Sequence, residues 1–265
     1  RPKKSLGQNF LYDPVWLERI VVAAEVGEQD LVLEIGPGAG SLTRCLASAA
    51  REVVAIEIDE RLLPVLEHVL QGCENVTVLA GDILECQLRE ILPAAAYSEF
   101  KVVANIPYYI TGQIVRHLLQ NDLRPAHLVL TVQREVAARM VADVGKMSML
   151  AISVQFYCSA RVVAHVPAGA FYPPPMVASA VVRLDVRPHT AWPHPDARRF
   201  FHVARAGFAQ RRKQLQNALA HGLKLPREQI ASALLSAGVD PRRRAQTLSL
   251  YEWARLTDCL PPSSN

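Results

Sequence analysis

Residues 31–40 read Leu31-Val32-Leu33-Glu34-Ile35-Gly36-Pro37-Gly38-Ala39-Gly40. A short apolar run ends at alternating glycines, and residues 41–50 then take up helix-like spacing. The pattern is a strand that runs into a glycine loop and opens a helix. Glycines let the backbone turn tightly and let a ligand approach it closely. The spacing is GxGxG, not the GxGxxG of nicotinamide and flavin dinucleotide sites, which counts against a dehydrogenase.

Outward from this loop the chain repeats the alternation. Apolar runs at 52–58, 76–80, 101–105 and 128–132 are separated by helix-like stretches at 60–70, 112–119 and 134–144. Strands alternating with helices predict βαβ units and a parallel sheet. Continuously apolar strands predict helices on both faces. Two further strand-like runs, 161–166 and 179–185, complete seven. The expected fold is α/β: a Rossmann-like, doubly wound, mostly parallel seven-stranded sheet. The turn-rich stretch 188–195 is the expected boundary, because its closely spaced prolines continue neither element. Residues 1–187 then form a cofactor-binding domain and residues 188–265 a small all-α domain, with helices over 196–209, 211–222, 227–237 and 250–260.

Charge divides the same way. The whole chain carries +4, but residues 1–182 hold 15 basic and 19 acidic side chains, and residues 183–265 hold 14 and 6. A net +8 in the last third points to a polyanion. The apolar half of the composition excludes a disordered chain. The most membrane-like stretch, 147–158, is short and broken by Ser148, Ser153 and Gln155, against the ~18–20 apolar residues that a span needs. No membrane association and no secretory signal are read. Five scattered cysteines without a CxxC pair argue against disulfides and zinc, and for a reducing, cytoplasmic compartment. No metal site is expected, since the eight histidines lack ligand spacing.

Three strand ends carry cofactor chemistry. Gly36 and Gly38 shape the loop. Glu57, at the end of the next strand and followed by Ile58, can accept hydrogen bonds from ribose hydroxyls. Asp82, followed by Ile83, can accept from an adenine amine, or equally cap a helix. A nucleoside-containing cofactor across the carboxyl ends of the sheet is the reading. The fourth strand ends in Asn105-Ile106-Pro107-Tyr108. Asn105 offers a neutral amide oxygen, Pro107 a stiff turn and Tyr108 a flat face, which together suit a planar base with an exocyclic amine.

In this order, GPGAG, IEID, GDI and NIPY resemble an S-adenosylmethionine-dependent adenine-N6 methyltransferase. More narrowly, the chain resembles the ribosomal RNA adenine dimethyltransferases, the bacterial small-subunit enzymes in particular. Further matches are Gly7-Gln8-Asn9-Phe10-Leu11, Gln133-Arg134-Glu135-Val136-Ala137, Phe171-Tyr172-Pro173-Pro174-Pro175, Phe208-Ala209-Gln210-Arg211-Arg212-Lys213 and Leu248-Ser249.

The resemblance implies a class I methyltransferase fold with S-adenosylmethionine as methyl donor and no metal. Asn9 and Leu11 would border the cofactor from an N-terminal arm, and Gly36, Gly38, Glu57, Ile58, Asp82, Ile83 and Asn105 would contact it. Asn105 and Pro107 would hold the target amine, with Tyr108 and Phe171 sandwiching the base. Met176 stands where the family often has Lys, which leaves the phosphate contact there without its cation. The basic clusters, Arg211, Arg212, Lys213, Arg242 and Arg243 among them, would grip phosphates of ribosomal RNA in the small subunit or its precursor. Dimethylation of two adjacent adenosines, a role in ribosome assembly and a monomeric state are expected. The alternatives are a large-subunit adenine methylase of the antibiotic-resistance type and a non-catalytic RNA-binding factor on the same fold.

Overall fold

A computed structural model describes residues 8–94, 99–106 and 110–261, the Thr190 side chain excepted. The chain divides into two compact units: Arg1–Ala138 with Ser159–Val186, and Arg139–Cys158 with Arg187–Asn265. The helical unit therefore draws on a segment N-terminal to the expected boundary as well as on the tail.

The first unit runs β1 (Phe10–Leu11), α1 (Pro14–Ala23), β2 (Leu31–Ile35), α2 (Ser41–Ala47), β3 (Glu52–Glu57), α3 (Leu63–Val69), β4 (Val76–Ala80), α4 (Leu88–Ile91), β5 (Lys101–Asn105), α5 (Thr111–Gln120) and β6 (His127–Gln133), and then enters α6 (Arg134–Met140). After α7 (Met149–Tyr157), which belongs to the second unit, it resumes with β7 (Cys158–Val166), β8 (Phe171–Tyr172) and β9 (Ser179–Val186). The seven expected strands form one sheet in the order β4-β3-β2-β5-β6-β9-β7. The β4-β3-β2-β5-β6 pairings are parallel and β6 with β9 is antiparallel. The order reverses between β2 and β5, and crevices at such switch points bind ligands beyond the carboxyl ends of the strands.

Burial follows the residue pattern. Every residue of β2 is buried, and so are β5 and β6 apart from their last residues, as continuous apolar strands require. β7 alternates buried or half-buried residues with more exposed ones, as an edge strand with one covered face does. The helix expected over 60–70 starts as a 3-10 turn, Glu60–Leu62, because Asp59 caps that turn and Pro64 then opens α3.

Two cations and a histidine from adjacent strands meet the C-terminal end of α1. Lys101 donates to the Glu25 carbonyl at 2.5 Å and pairs with Asp30 at 2.6 Å. The His127 ring lies 2.6 Å from the Ala24 carbonyl, and Arg183 donates to the Ala23 carbonyl at 2.7 Å. Burial lowers the His127 pKa. These groups complement the negative end of the helix and fix the element that carries β1.

The second unit is helical: α7, α8 (Ala197–Phe208), α9 (Leu215–Leu223), α10 (Arg227–Ser236) and α11 (Leu250–Cys259). The apolar stretch around 147–158 forms α7, whose largely apolar circumference is buried. Its Phe156 packs on Trp192, Phe200 and Phe201 with ring centroids 4.7–5.5 Å apart. Trp253 of α11, fully buried, stacks on Phe208 at 5.6 Å. A capping box joins Ser249 and Glu252 at the start of α11. The helix expected over 211–222 begins instead at Leu215, because the buried positions of its face are Leu215, Ala218 and Leu219. Residues 211–214 have no apolar stripe to bury and form a turn. Among the described residues no helix is long and apolar enough to cross a membrane.

Candidate functional site

The carboxyl ends of β2, β3, β4 and β5 open into a cleft with about 1030 Å3 of empty space, part of it open to solvent. The glycine loop after β2 forms one wall. Gly36 and Gly38 have φ of +70° and +60°, the left-handed region that side chains avoid. The Gly38 N–H donates to Glu57 Oε2 at 3.0 Å, and the Asp59 N–H donates to Glu57 Oε1 at 2.9 Å. Glu57 is thus aimed by two backbone donors and keeps lone pairs on both oxygens. Burial raises its pKa. Asp82 Oδ1 accepts the Leu84 N–H at 2.9 Å, a turn that holds its carboxylate at the cleft. Ile58 and Ile83 add apolar lining.

The N-terminal arm also lines the cleft. β1 pairs antiparallel with β8, Phe10 opposite Tyr172 and Leu11 opposite Phe171. Gln8 donates to Asp59 Oδ2 at 2.8 Å. Arg61 also grips Asp59, by Nε at 2.8 Å, and holds that carboxyl well below the usual range. Asn105 Nδ2 donates to the Asn9 carbonyl at 2.9 Å. With its donor on the arm, the amide presents Oδ1 as its acceptor. Asn9, Leu11, Gly36, Gly38, Glu57, Ile58, Asp82, Ile83 and Asn105 therefore all line one cleft.

Pro107 and Tyr108 fall outside the described residues. Phe171 is only 2% exposed and packs with Leu11, Leu17, Val166 and Val181 in the core, whereas the next residue, Tyr172, is 64% exposed. In the helical unit the α9 start is tied to a second basic turn, with Leu215 N–H donating to the Arg243 carbonyl at 2.7 Å and Gln216 N–H to the Pro241 carbonyl at 3.3 Å. Arg211, Arg212, Lys213 and Arg242 are thereby brought together, all exposed. Arg243 differs from them: its guanidinium is engaged by Glu252 and Thr247 within the unit.

Glu34 is a cleft residue that motif reading passed over. Its one signal is an acidic residue inside an apolar strand. It is buried, Oε2 has no hydrogen-bond partner, and burial raises its pKa to about 8, with Glu57 pushing the same way. Between about 4.5 and 8 the folded chain holds a proton here that the unfolded chain releases. This carboxyl therefore lowers stability by up to about 1.4 kcal/mol per pH unit as pH rises through that window. Glu34→Gln, neutral at every pH, is expected to melt above the parent at pH 8.5 and level with it near pH 5. Thermal melts across that range test this, and a gap that does not vary with pH would contradict it.

The cleft offers acceptors for hydroxyls and an amine, apolar lining for a planar ring and a buried carboxyl with one oxygen unbonded, a set that fits a nucleoside with a cationic side chain. Among the described residues no cluster of His, Cys, Asp and Glu could hold a metal.

The family model described as ribosomal RNA adenine dimethylase matches residues 1–260. Ribosomal RNA small subunit methyltransferase A of Dehalococcoides mccartyi is 43% identical over 265 residues, covering 100% of this chain and 90% of the relative. A dimethyladenosine transferase from Plasmodium falciparum superposes with a TM-score of 0.79 at 27% identity, over 93% of this chain and 95% of its own. The 23S rRNA methyltransferase ErmE superposes with a TM-score of 0.73 at 32% identity, over 95% and 99%. The sheet is thus that of a class I methyltransferase. A match that spans nearly every residue leaves one assignment: the chain belongs to the ribosomal RNA adenine dimethylase family.

Proposed function

We infer that this chain dimethylates the N6 amine of two adjacent adenosines in small-subunit ribosomal RNA. The observation that carries this reading is Asn105, which lines the same cleft as Glu57 and Asp82 with its amide nitrogen held by the Asn9 carbonyl at 2.9 Å. S-adenosylmethionine, when bound, supplies the methyl group. Glu57 would accept from its ribose hydroxyls and Asp82 from its adenine, while Ile58 and Ile83 cover the ring.

The lone pair of an adenine amine is delocalised into its ring. Asn105 Oδ1 accepting one amine hydrogen, with a backbone carbonyl of the following residues accepting the other, localises that lone pair for attack. This is positioning with electrostatic stabilisation and needs no strong base. The target base must first leave its stack. Tyr108 is the residue we assign to stack on it. The small subunit is favoured over the large because the relative named for it is 43% identical, against 32% for the 23S enzyme. On this reading the chain acts as a monomer, in the cytoplasm, and also serves ribosome assembly.

The test is transfer of labelled methyl from S-adenosylmethionine to undermethylated small subunits, large subunits and naked RNA in parallel. Dimethyladenosine in the small-subunit sample is expected. Label confined to large subunits would favour the 23S reading. RNA affinity comes from the two joined basic turns. Arg211→Glu with Arg212→Glu is expected to weaken RNA binding about tenfold or more and to reduce the slope of log K against log salt by roughly 1.5. Titrations at several salt concentrations measure this, and an unchanged slope would remove these arginines from the interface.

A further inference from the structure

The β1–β8 ribbon has two unlike faces. Side chains alternate along a strand, and residues directly opposite in an antiparallel pair share a face. Leu11 and Phe171 are opposite each other and both sit in the core. Phe10 and Tyr172 are opposite each other on the other face. Phe10 lines the cleft and rests on Gly38, where a Cβ would lie 2.8 Å from its ring. Tyr12, two residues on, falls on the Phe10 side. Its N–H donates to the Ala170 carbonyl at 3.1 Å and its hydroxyl to the Gly169 carbonyl at 2.9 Å, which fixes the ring. Tyr172 and Tyr12 are 64% and 56% exposed. Diagonal neighbours in such a pair lie roughly 7–8 Å apart, within reach of aromatic side chains.

Single exposed tyrosines need no explanation. Here an aromatic face is continuous with the wall of the cofactor cleft. The chain then continues through exposed Met176 and Val177 to Ala178, whose carbonyl takes the N–H of exposed Arg134 at 2.9 Å. Flat apolar faces are what unpaired nucleotides stack on. We propose that Tyr172 and Tyr12 form a stacking platform for the unpaired base that flanks the target adenosine. The inference rests on the methyl-transfer reading above. It assigns the exposed aromatic face of the ribbon to substrate, with the buried Phe171 on the other face.

The test uses the full chain with undermethylated small subunits as substrate. Tyr172→Ala and Tyr12→Ala are each expected to raise KM for subunits about tenfold, within the range of base–aromatic stacking. kcat should hold within twofold and S-adenosylmethionine affinity should not change. Tyr172→Phe, which keeps the ring, should restore most of the loss. Any of three results would overturn the platform: an unchanged KM in Tyr172→Ala, an equal loss in Tyr172→Phe, or cofactor affinity falling in step with KM. If the parent protein labels no small subunits, the functional reading fails and the platform fails with it. If the parent labels them and both alanine variants match it, only the platform fails.

Discussion

Asn105→Ala is expected to lower methyl transfer by about a thousandfold or more while S-adenosylmethionine binds within about tenfold of the parent. The side chain ends β5 at the switch point of the sheet, and the Asn9 carbonyl accepts from its Nδ2 at 2.9 Å. That bond sets which amide atom is the acceptor. Alanine removes the acceptor and leaves Glu57 and Asp82 in place, so the loss falls on the chemical step. Single-turnover transfer alongside cofactor titration separates the two. Asn105→Asp is the informative companion. It keeps an acceptor but cannot donate to Asn9, and it sets a carboxylate against a carbonyl oxygen. It should lose activity as well, through misorientation. A rate near that of the parent in the alanine variant would remove Asn105 from the reaction.

Gly38→Val is expected to weaken S-adenosylmethionine binding about a hundredfold or more. A side chain in the left-handed region costs roughly 1–2 kcal/mol, and more when β-branched. At Gly38 the φ is +60°, and an added Cβ would stand 2.8 Å and 2.9 Å from two ring atoms of Phe10. Its N–H also aims Glu57, so a shifted loop misdirects the ribose acceptor. Loop, arm and acceptor would move together. A cycle of Gly38→Ala, Phe10→Ala and the double variant divides the cost. The double variant should recover the steric part and retain the backbone part. Calorimetric titration reads each, and cofactor binding by Gly38→Ala equal to the parent's would mean that the ring and loop yield freely.

Much of this site was legible in residue order. The glycine loop, Glu57, Asp82 and Asn105 each follow an apolar run, and strands of one parallel sheet bring their carboxyl ends to one edge. Other parts were not legible. β1 and β8 have two residues each, too few to show any period. Nothing in the order of residues shows which of Phe171 and Tyr172 is buried; the register that places Phe171 opposite Leu11 buries the first and leaves the second exposed. Arg211, Arg212, Lys213 and Arg243 read alike as basic clusters. Only the fold engages Arg243 with Glu252 and Thr247 and leaves the other three exposed.

By itself the sequence determined the alternation of strand and helix, the seven strands, the glycine turn, the basic tail and the chemistry at each strand end. These follow from local periodicity and backbone freedom, which act over a few residues. Tertiary structure decided that the Asn9 carbonyl meets Asn105, that Phe10 seats on Gly38, that α7 joins the helical unit and that two basic turns lie side by side. Such pairings join residues far apart in the chain. Their geometry depends on register and on how apolar faces are covered, and neither is written in any single stretch.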